Sequence, residues 1–329
     1  MKSVLLKQFG SAEQLTLEDT IQPTAKNGEV LIHMHHAGVN FIDIYEREGL
    51  YQLPLPSILG KEGMGVIVDI GKDVDNIWQI GQRVGFAFAT NGAYAEYVSI
   101  PAEKLVLIPD DISNQQAAAC LLQGLTAQFL THETFALNAQ HTMLIHAAAG
   151  GVGLLAVQMA KLLGAKVIGT VSTPEKAALV KNLGADLAIN YQAENIEEAV
   201  QSFTKGEGVD VVYDSIGQST FNHSLACLKN RGLMVSFGQA SGVVPPIDLN
   251  ETLSRRQQQH GSLYITRPTL KHYIPNALAL QIKAAELFNN ISSGQIKLHI
   301  NAVYPLKEAT TAHQMLQSRQ TIGKILLKT

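Results

Sequence analysis

The chain is short of cysteine, has no excess of positive charge and has no long apolar run, and each shortage removes a class of protein. Only two cysteines occur in 329 residues, Cys120 and Cys227. Both lie in helix-like apolar stretches where a small buried hydrophobe is expected, so a disulfide framework and a cysteine-rich zinc lobe are excluded. No apolar stretch reaches the ~20 uncharged residues of a membrane span, and the apolar run in "MKSVLLKQFGSAEQ" is too short for a signal peptide. A cytoplasmic protein with no membrane attachment is expected. The formal net charge is -3, and basic pairs such as Arg255-Arg256 are isolated rather than arrayed along a face, so no nucleic-acid partner is expected.

What is present is a core-forming composition, 46% hydrophobic and 16% charged, at a length that suggests two domains of ~150 residues each. The first hundred or so residues alternate β-like runs with glycine turns, as in "EVLIHMHHAGVN", "EGMGVIVDIG", "GQRVGFAF" and "GAYAEYVSI", which reads as a β-rich domain. From about Gln123 the texture changes. Continuous apolar strands ("TMLIHAA", "KVIGTVS", "LAINY", "VDVVYDSIG", "GLMVSFG") alternate with helical stretches ("GVGLLAVQMAKLLG", "PEKAALVKNLG", "STFNHSLACLKN"). That alternation predicts an α/β domain with a doubly wound parallel sheet. The tail adds a long helical stretch, "YIPNALALQIKAAELFNNISSG", and closes on a strand-like "GKILLKT".

The turn Ala148-x-Gly150-x-x-Gly153 stands between an apolar strand and a helix, where a dinucleotide's pyrophosphate would rest. The missing side chain at Gly150 lets the backbone approach the phosphates, whose charge meets the N–H groups of the helix start, while Gly153 allows close helix packing. An NAD reader places Asp or Glu at the end of the next strand, ~20 residues on, to hold the ribose hydroxyls. Ser172 stands there, with Thr173 beside it and Lys176 one turn further. Two hydroxyls and an ammonium suit a 2′-phosphate, so the expected cofactor is NADPH. The simpler role, capping the helix that starts at Pro174, is open to Ser172 or Thr173 as well.

With those residues in view, the chain resembles the medium-chain dehydrogenase/reductase superfamily, in its zinc-free quinone oxidoreductase branch. The resemblance rests on "AGVNFIDIYEREGLY", "LGKEGMGVIVDIG", "AAACLLQGLTA", "HAAAGGVG", "GTVSTPEK", "VVYDSIG", "RGLMVSFGQASG", "GSLYITRP" and "YPLKEATTAH". It implies a Rossmann nucleotide-binding domain, residues 124–268, inserted into a GroES-like catalytic domain made of residues 1–123 and 269–329, with the active cleft between the two. Zinc-dependent relatives carry Cys where this chain has Asn40 and Gly-His-Glu where it has Gly60-Lys61-Glu62. Two metal ligands are thereby lost and no metal is implied. On a strand, His33 and His35 share one face while His36 points to the other, with no acid or cysteine nearby in sequence, so these read as sheet histidines.

Without a Lewis acid the acceptor must already be electron-poor, and a quinone fits. The resemblance implies that Asn40 sits at the nicotinamide end and that Tyr45 and Tyr51 reach the cleft, where their rings would flank a planar acceptor. Local alternatives are helix capping for Asn40 and packing for the tyrosines. On the cofactor side it implies Thr126 near the nicotinamide and phosphate, Gly151 and Val152 at the pyrophosphate, and Tyr191 near the adenosine. Ile216, Phe237 and Gly238 would line the strand ends, and Arg319 would return to the cofactor. Gln123 stands where some relatives have Lys, so no cationic contact is carried over there.

Two other readings stay open. One is an NADPH-dependent reductase of activated C=C bonds in an enone, alkenal or enoyl thioester, with Tyr45 or Tyr51 as proton donor. The other is a non-catalytic binding role, disfavoured by the intact nucleotide motif and the lack of a basic stripe. For assembly, "GSLYITRP" (261–268) would form the edge strand of the parallel sheet, exposing Leu263, Tyr264 and Ile265, and the resemblance implies pairing with a two-fold copy as a homodimer.

Overall fold

A computed structural model describes residues 1–88, 92–255, 258 and 260–329, so Arg256 of the isolated basic pair lies outside the described residues. The chain divides into two compact units. One joins Met1–Leu125 to Ile274–Thr329, and the other is Thr126–Tyr273.

The second unit is built on six strands, all parallel. In chain order they are Thr142–Ile145, Lys166–Val171, Leu187–Asn190, Val209–Asp214, Leu228–Ser236 and Tyr264–Thr266. Strands such as "VDVVYD" are buried at every position, as a parallel sheet covered on both faces requires. Helices Gly151–Leu162, Pro174–Asn182, Ile196–Thr204 and Phe221–Cys227 supply the crossovers. Across the sheet the strands run third, second, first, fourth, fifth, sixth. This is a doubly wound order, whose winding reverses between Thr142–Ile145 and Val209–Asp214. Open α/β sheets bind ligands beyond the carboxyl ends of the strands at such a reversal.

Two expectations change here. The stretch "STFNHSLACLKN" is not helical to its end: the helix stops at Cys227 and the fifth strand begins at Leu228, because fully buried Leu228 pairs with Val209 inside the sheet. The run at 261–268 does take the outer place in the sheet, but only Tyr264–Thr266 pair, with Leu233, Met234 and Val235. Leu263, 6% exposed, turns into the core rather than outward, and Ile265 packs partly against that core, which leaves Tyr264, 56% exposed, as the open side chain of the expected trio.

The first unit carries a mixed sheet of seven strands. Glu29–Val39 is its long spine, bordered by Glu62–Ile70 and Tyr97–Pro101, with Arg83–Ala87 and Leu105–Leu107 beyond. The closing strand Lys324–Lys328 pairs antiparallel with the spine, Ile325 opposite Val39, and parallel with Ile300–Pro305. The two segments of this unit, Met1–Leu125 and Ile274–Thr329, therefore share one hydrogen-bonded sheet, over a core that includes Ile32, Met34, Phe86, Ile325 and Leu327. A smaller sheet joins Lys2–Leu6 to Leu15–Asp19 and Ser57–Ile58. The long tail helix forms at Ala277–Ser292, its stripe of Leu280, Ala284, Leu287 and Ile291 buried; Leu287 lies against Gly124, where a Cβ would meet it at 2.5 Å.

His33 and His35 share a face of the spine, their rings 5.8 Å apart, while His36 is buried. Cys120 and Cys227 are both buried. Among the described residues no helix is long and apolar enough to cross a membrane.

Candidate functional site

The candidates fall into two sets, one in each unit. In the second unit the parallel sheet does the gathering, since every strand ends on the same edge. Gly150, Gly151 and Val152 follow the first strand, Ser172 follows the second, Tyr191 the third, Ile216 the fourth, and Phe237 and Gly238 the fifth. Thr126 stands on the helix Asn114–Phe129.

The glycine turn is tighter than its motif suggests. Ala147 takes a left-handed φ of 51°, a conformation a non-glycine residue adopts at a cost. Gly150 N–H closes back on Ala147 O at 2.9 Å, and Gly150 becomes the residue that precedes the helix. A Cβ at Gly153 would overlap the carbonyls of Ala147 and Ala148. The close approach that Gly153 permits is therefore to the turn's own backbone rather than to the strand. The packing against the neighbouring strand is made elsewhere, by Ala148 over Gly169, where an added Cβ would come within 2.7 Å. With the helix starting at Gly151, its first N–H groups have no intrahelical acceptor and face the direction from which an anion would come.

At the end of the second strand the capping role goes to Thr173, whose hydroxyl accepts from Lys176 N–H at 3.3 Å, with Pro174 as the first helical residue. Ser172 is left for another partner, and Lys176 Nζ lies 3.5 Å from its hydroxyl. Burial lowers the Lys176 pKa from its ordinary value. A hydroxyl and an ammonium thus stand where a carboxylate would hold an unmodified ribose.

Beneath this edge lies a network that the sequence reading missed. His146 is buried, with Nδ1 3.0 Å from Thr170 Oγ1 and Nε2 3.1 Å from Ser224 Oγ. Ser224 and Thr220 hydroxyls donate to Asp214 Oδ2 at 2.7 and 2.8 Å, while Ile216 and Gly217 N–H donate to Oδ1. Because Ser224 spends its proton on Asp214, it can only accept from His146, which fixes Nε2–H and leaves Nδ1 to accept from Thr170. The serine sits between the acid and the histidine, so the set ties three strand ends together instead of activating a nucleophile.

In the first unit the helix Phe41–Arg47 organises the candidates. Tyr45 is buried and meets the half-exposed Tyr51 edge to face, ring centroids 5.4 Å apart. Asn40 precedes the helix, and its backbone N–H donates to Asp43 Oδ2 at 2.8 Å. Its side chain reaches a buried ion pair. Lys324 Nζ is 2.6 Å from Glu62 Oε2 and 2.8 Å from Asn40 Oδ1, the two charged side chains being 2% and 0% exposed. Asn40 Nδ2 donates to Glu62 Oε2 at 2.9 Å and to Gly38 O at 3.2 Å, and Leu122 N–H donates to Glu62 Oε1. Gln123 Nε2 completes the group, 3.4 Å from Asn40 Oδ1.

This donor set does not fit a metal ion. The one carboxylate in it is claimed by an ammonium, Asn40 offers an amide already engaged, and Lys61 is ion-paired with Glu46 at 2.7 Å. Beside it runs a second buried chain. Tyr94 OH donates to Asp43 Oδ2 at 2.9 Å, His313 Nε2 lies 3.1 Å from the same hydroxyl, and Arg47 Nη1 lies 3.4 Å from His313 Nδ1. Burial pushes the Asp43 carboxyl up to about 7 and, with Arg47 adjacent, pushes His313 down to about 3. Lys324, Tyr94 and His313 carry no local signal in sequence, because each meets its partner across 51 to 284 residues. Arg319 is in this unit too, just past the helix Ala309–Gln317, with a φ of 61°.

Two family descriptions match the chain. "Alcohol dehydrogenase GroES-like domain" covers residues 26–110 and "Zinc-binding dehydrogenase" covers residues 151–280. The chain is 45% identical to the quinone oxidoreductase of Pseudomonas aeruginosa over 327 residues, 99% of each chain. It is 40% identical to the 2-haloacrylate reductase of a Burkholderia species over 334 residues, 99% of this chain and 98% of that one. The crystal structure of Escherichia coli quinone oxidoreductase complexed with NADPH superposes at a TM-score of 0.95 with 41% identity, covering 100% of both chains.

Proposed function

The chain belongs to the quinone oxidoreductase branch of the medium-chain dehydrogenase/reductase superfamily, and from that premise we propose that it transfers hydride from NADPH to a quinone without a metal. The observation that carries the cofactor is the end of the second strand, where Ser172 and Lys176 take the place of a ribose-binding acid. Bound there, NADPH supplies the hydride and the electron-poor quinone accepts it. The chain's own work is orientation. The N–H groups of Gly151 and Val152 hold the pyrophosphate, Lys176 and Ser172 meet the 2′-phosphate, and Thr126, Tyr191, Ile216, Phe237, Gly238 and Arg319 line the rest of the cofactor's path. Gly150 keeps that approach open. Asn40, Tyr45 and Tyr51 shape the acceptor's place, and the protons that complete reduction come from water or a tyrosine hydroxyl.

In this reading residues 124–268 bind the nucleotide and residues 1–123 with 269–329 bind the acceptor. The absence of a metal rests on Asn40 and Lys61 at the ligand positions and on the ammonium of Lys324 beside Glu62. The edge strand Tyr264–Thr266, with its exposed tyrosine, supports a two-fold dimer through that edge; light scattering would then give twice the 35.6 kDa chain mass. A cytoplasmic location goes with this reading.

The 2-haloacrylate reductase relative keeps reduction of an activated C=C bond as a second reading. One assay separates them. NADPH oxidation is followed with 1,4-benzoquinone and with a crotonyl thioester in the presence of EDTA, and kcat/KM should be larger for the quinone by more than about tenfold. A larger value for the thioester, or activity abolished by EDTA, would overturn the proposal.

A further inference from the structure

Asn40 has no hydrogen-bonding capacity to spare. A side-chain amide offers two donors and two lone pairs. Here Nδ2 donates to Glu62 Oε2 and Gly38 O, and Oδ1 accepts from Lys324 Nζ and Gln123 Nε2. The orientation of the amide is itself dictated, since a flip would set its NH2 against an ammonium and its oxygen against a carboxylate. The ion pair that imposes this is desolvated on both sides. An unpartnered charge there would be expensive, so the three side chains hold one another in place.

Gln123 is the opposite case. It lies on the helix Asn114–Phe129, is half-buried, and its one polar side-chain contact among the described residues is the 3.4 Å approach to Asn40 Oδ1, long for a hydrogen bond. Its carbonyl oxygen and second N–H have no partner among the described residues. Next to a saturated amide stands an unsaturated one, held at its rim and reachable from solvent. We infer that Gln123 is the side chain that presents hydrogen bonds to the bound ligand in the first unit. Asn40, locked by Lys324 and Glu62, is the positioning residue behind it.

The chemistry Gln123 suits is a neutral planar carbonyl or carboxamide, to which it can donate and from which it can accept. Given the proposed quinone reductase activity, on which this inference rests, the two sources of such a group are the nicotinamide carboxamide and the quinone oxygen. A contact of this kind is worth about three- to tenfold in binding.

The test is Gln123→Leu, which keeps the side chain's bulk and removes its polar atoms, read by the Kd for NADPH and the KM for 1,4-benzoquinone. A rise of about three- to tenfold in the NADPH Kd alone assigns the carboxamide, and the same rise in the quinone KM alone assigns the quinone oxygen. Both constants within twofold of wild type would overturn the inference. Asn40→Ser, which keeps the ion pair, tests the positioning role. If Asn40 acts through Gln123, Gln123→Leu should add nothing to the Asn40→Ser loss, and additive losses would refute that. Should Asn40→Ser fail to fold, Gln123→Leu decides by itself. Wild-type turnover with the quinone is scored separately. Its absence would sink the proposed reaction while leaving the NADPH Kd of Gln123→Leu readable.

Discussion

In the second unit the polar groups at the glycine turn are backbone N–H groups of consecutive residues, while in the first unit the groups around Asn40 are side chains drawn from positions as far as 284 residues apart. The glycine turn is a local device. Its shape follows from Ala147, Gly150 and Gly153, and its polarity comes from a helix start that any sequence would provide. The Asn40 block is a long-range device whose polarity comes from two opposite charges buried together. The local device leaves its first N–H groups without an intrahelical acceptor, and the long-range one is closed on itself.

The largest expected effect tests that closure. Glu62→Ala leaves the Lys324 ammonium buried without its carboxylate and should lower stability by about 3–5 kcal/mol in urea unfolding, whereas Glu62→Leu combined with Lys324→Met should recover most of it. In the second unit Gly150→Ala, whose Cβ would come no closer than 3.2 Å to Ala147 O, should cost under about 1 kcal/mol. A mild Glu62→Ala would mean that water reaches the ion pair and that the contrast between the two devices is false.

The second test exploits the chain from Asp43 to Arg47. Asp43, pushed up to about 7, keeps a proton in the folded state that the unfolded chain loses above about pH 4. Its contribution is therefore present at low pH and falls by about 1.4 kcal/mol per unit as pH rises from 4 to 7. His313, pushed down to about 3, refuses a proton that the unfolded chain binds below about pH 6.5. Its contribution is present above that pH and falls at the same rate on acidification. Between about pH 4 and 6.5 the two slopes oppose and cancel, as though one proton had moved from the histidine to the acid. Asp43→Asn should expose the His313 slope, a loss of about 2.7 kcal/mol relative to wild type over the two units below pH 6.5. An Asp43→Asn profile parallel to wild type would show that the two groups do not hold these opposite protonation states.

How far the sequence was legible follows the same division. The strand, turn and helix around Gly150 and the alternation that builds the doubly wound sheet were readable, because each signal lies within a few neighbouring residues. The end of the helix at Cys227 was not, since "LKN" is strand only by virtue of Leu228 meeting Val209. Nor was the inward turn of Leu263, which depends on a core assembled from other strands. Asn40 could be singled out by what it replaces, but nothing local announces that Lys324 fills its acceptor. Tyr94 and His313 stayed invisible for that reason too.

A smaller effect tests the open device. Lys176→Ala should erode the preference for NADPH over NADH by about tenfold, close to 1.4 kcal/mol, with little change in the Kd for NADH. Equal weakening of both cofactors would assign Lys176 to the structure of the helix start rather than to the phosphate, and the second unit would then be no more open than the first.

The smallest effect is expected where the first unit is least closed. Tyr51 is 36% exposed and packs edge to face on Tyr45, and the proposed function puts its hydroxyl at the acceptor. In quinone reduction water can supply the proton, and the hydroxyl contributes one neutral hydrogen bond. Tyr51→Phe should then lower kcat/KM by about three- to tenfold, with the shape of the pH profile kept. If the hydroxyl is instead the obligate proton donor to a carbon, as reduction of an activated C=C bond requires, the loss should reach about 10²- to 10⁴-fold in kcat, and the alkaline limb of the pH profile should move. The size of this one effect therefore separates an acceptor that needs only to be oriented from one that must be protonated by the protein, and a loss of the larger size measured with a quinone would break the account of the first unit as a positioning scaffold.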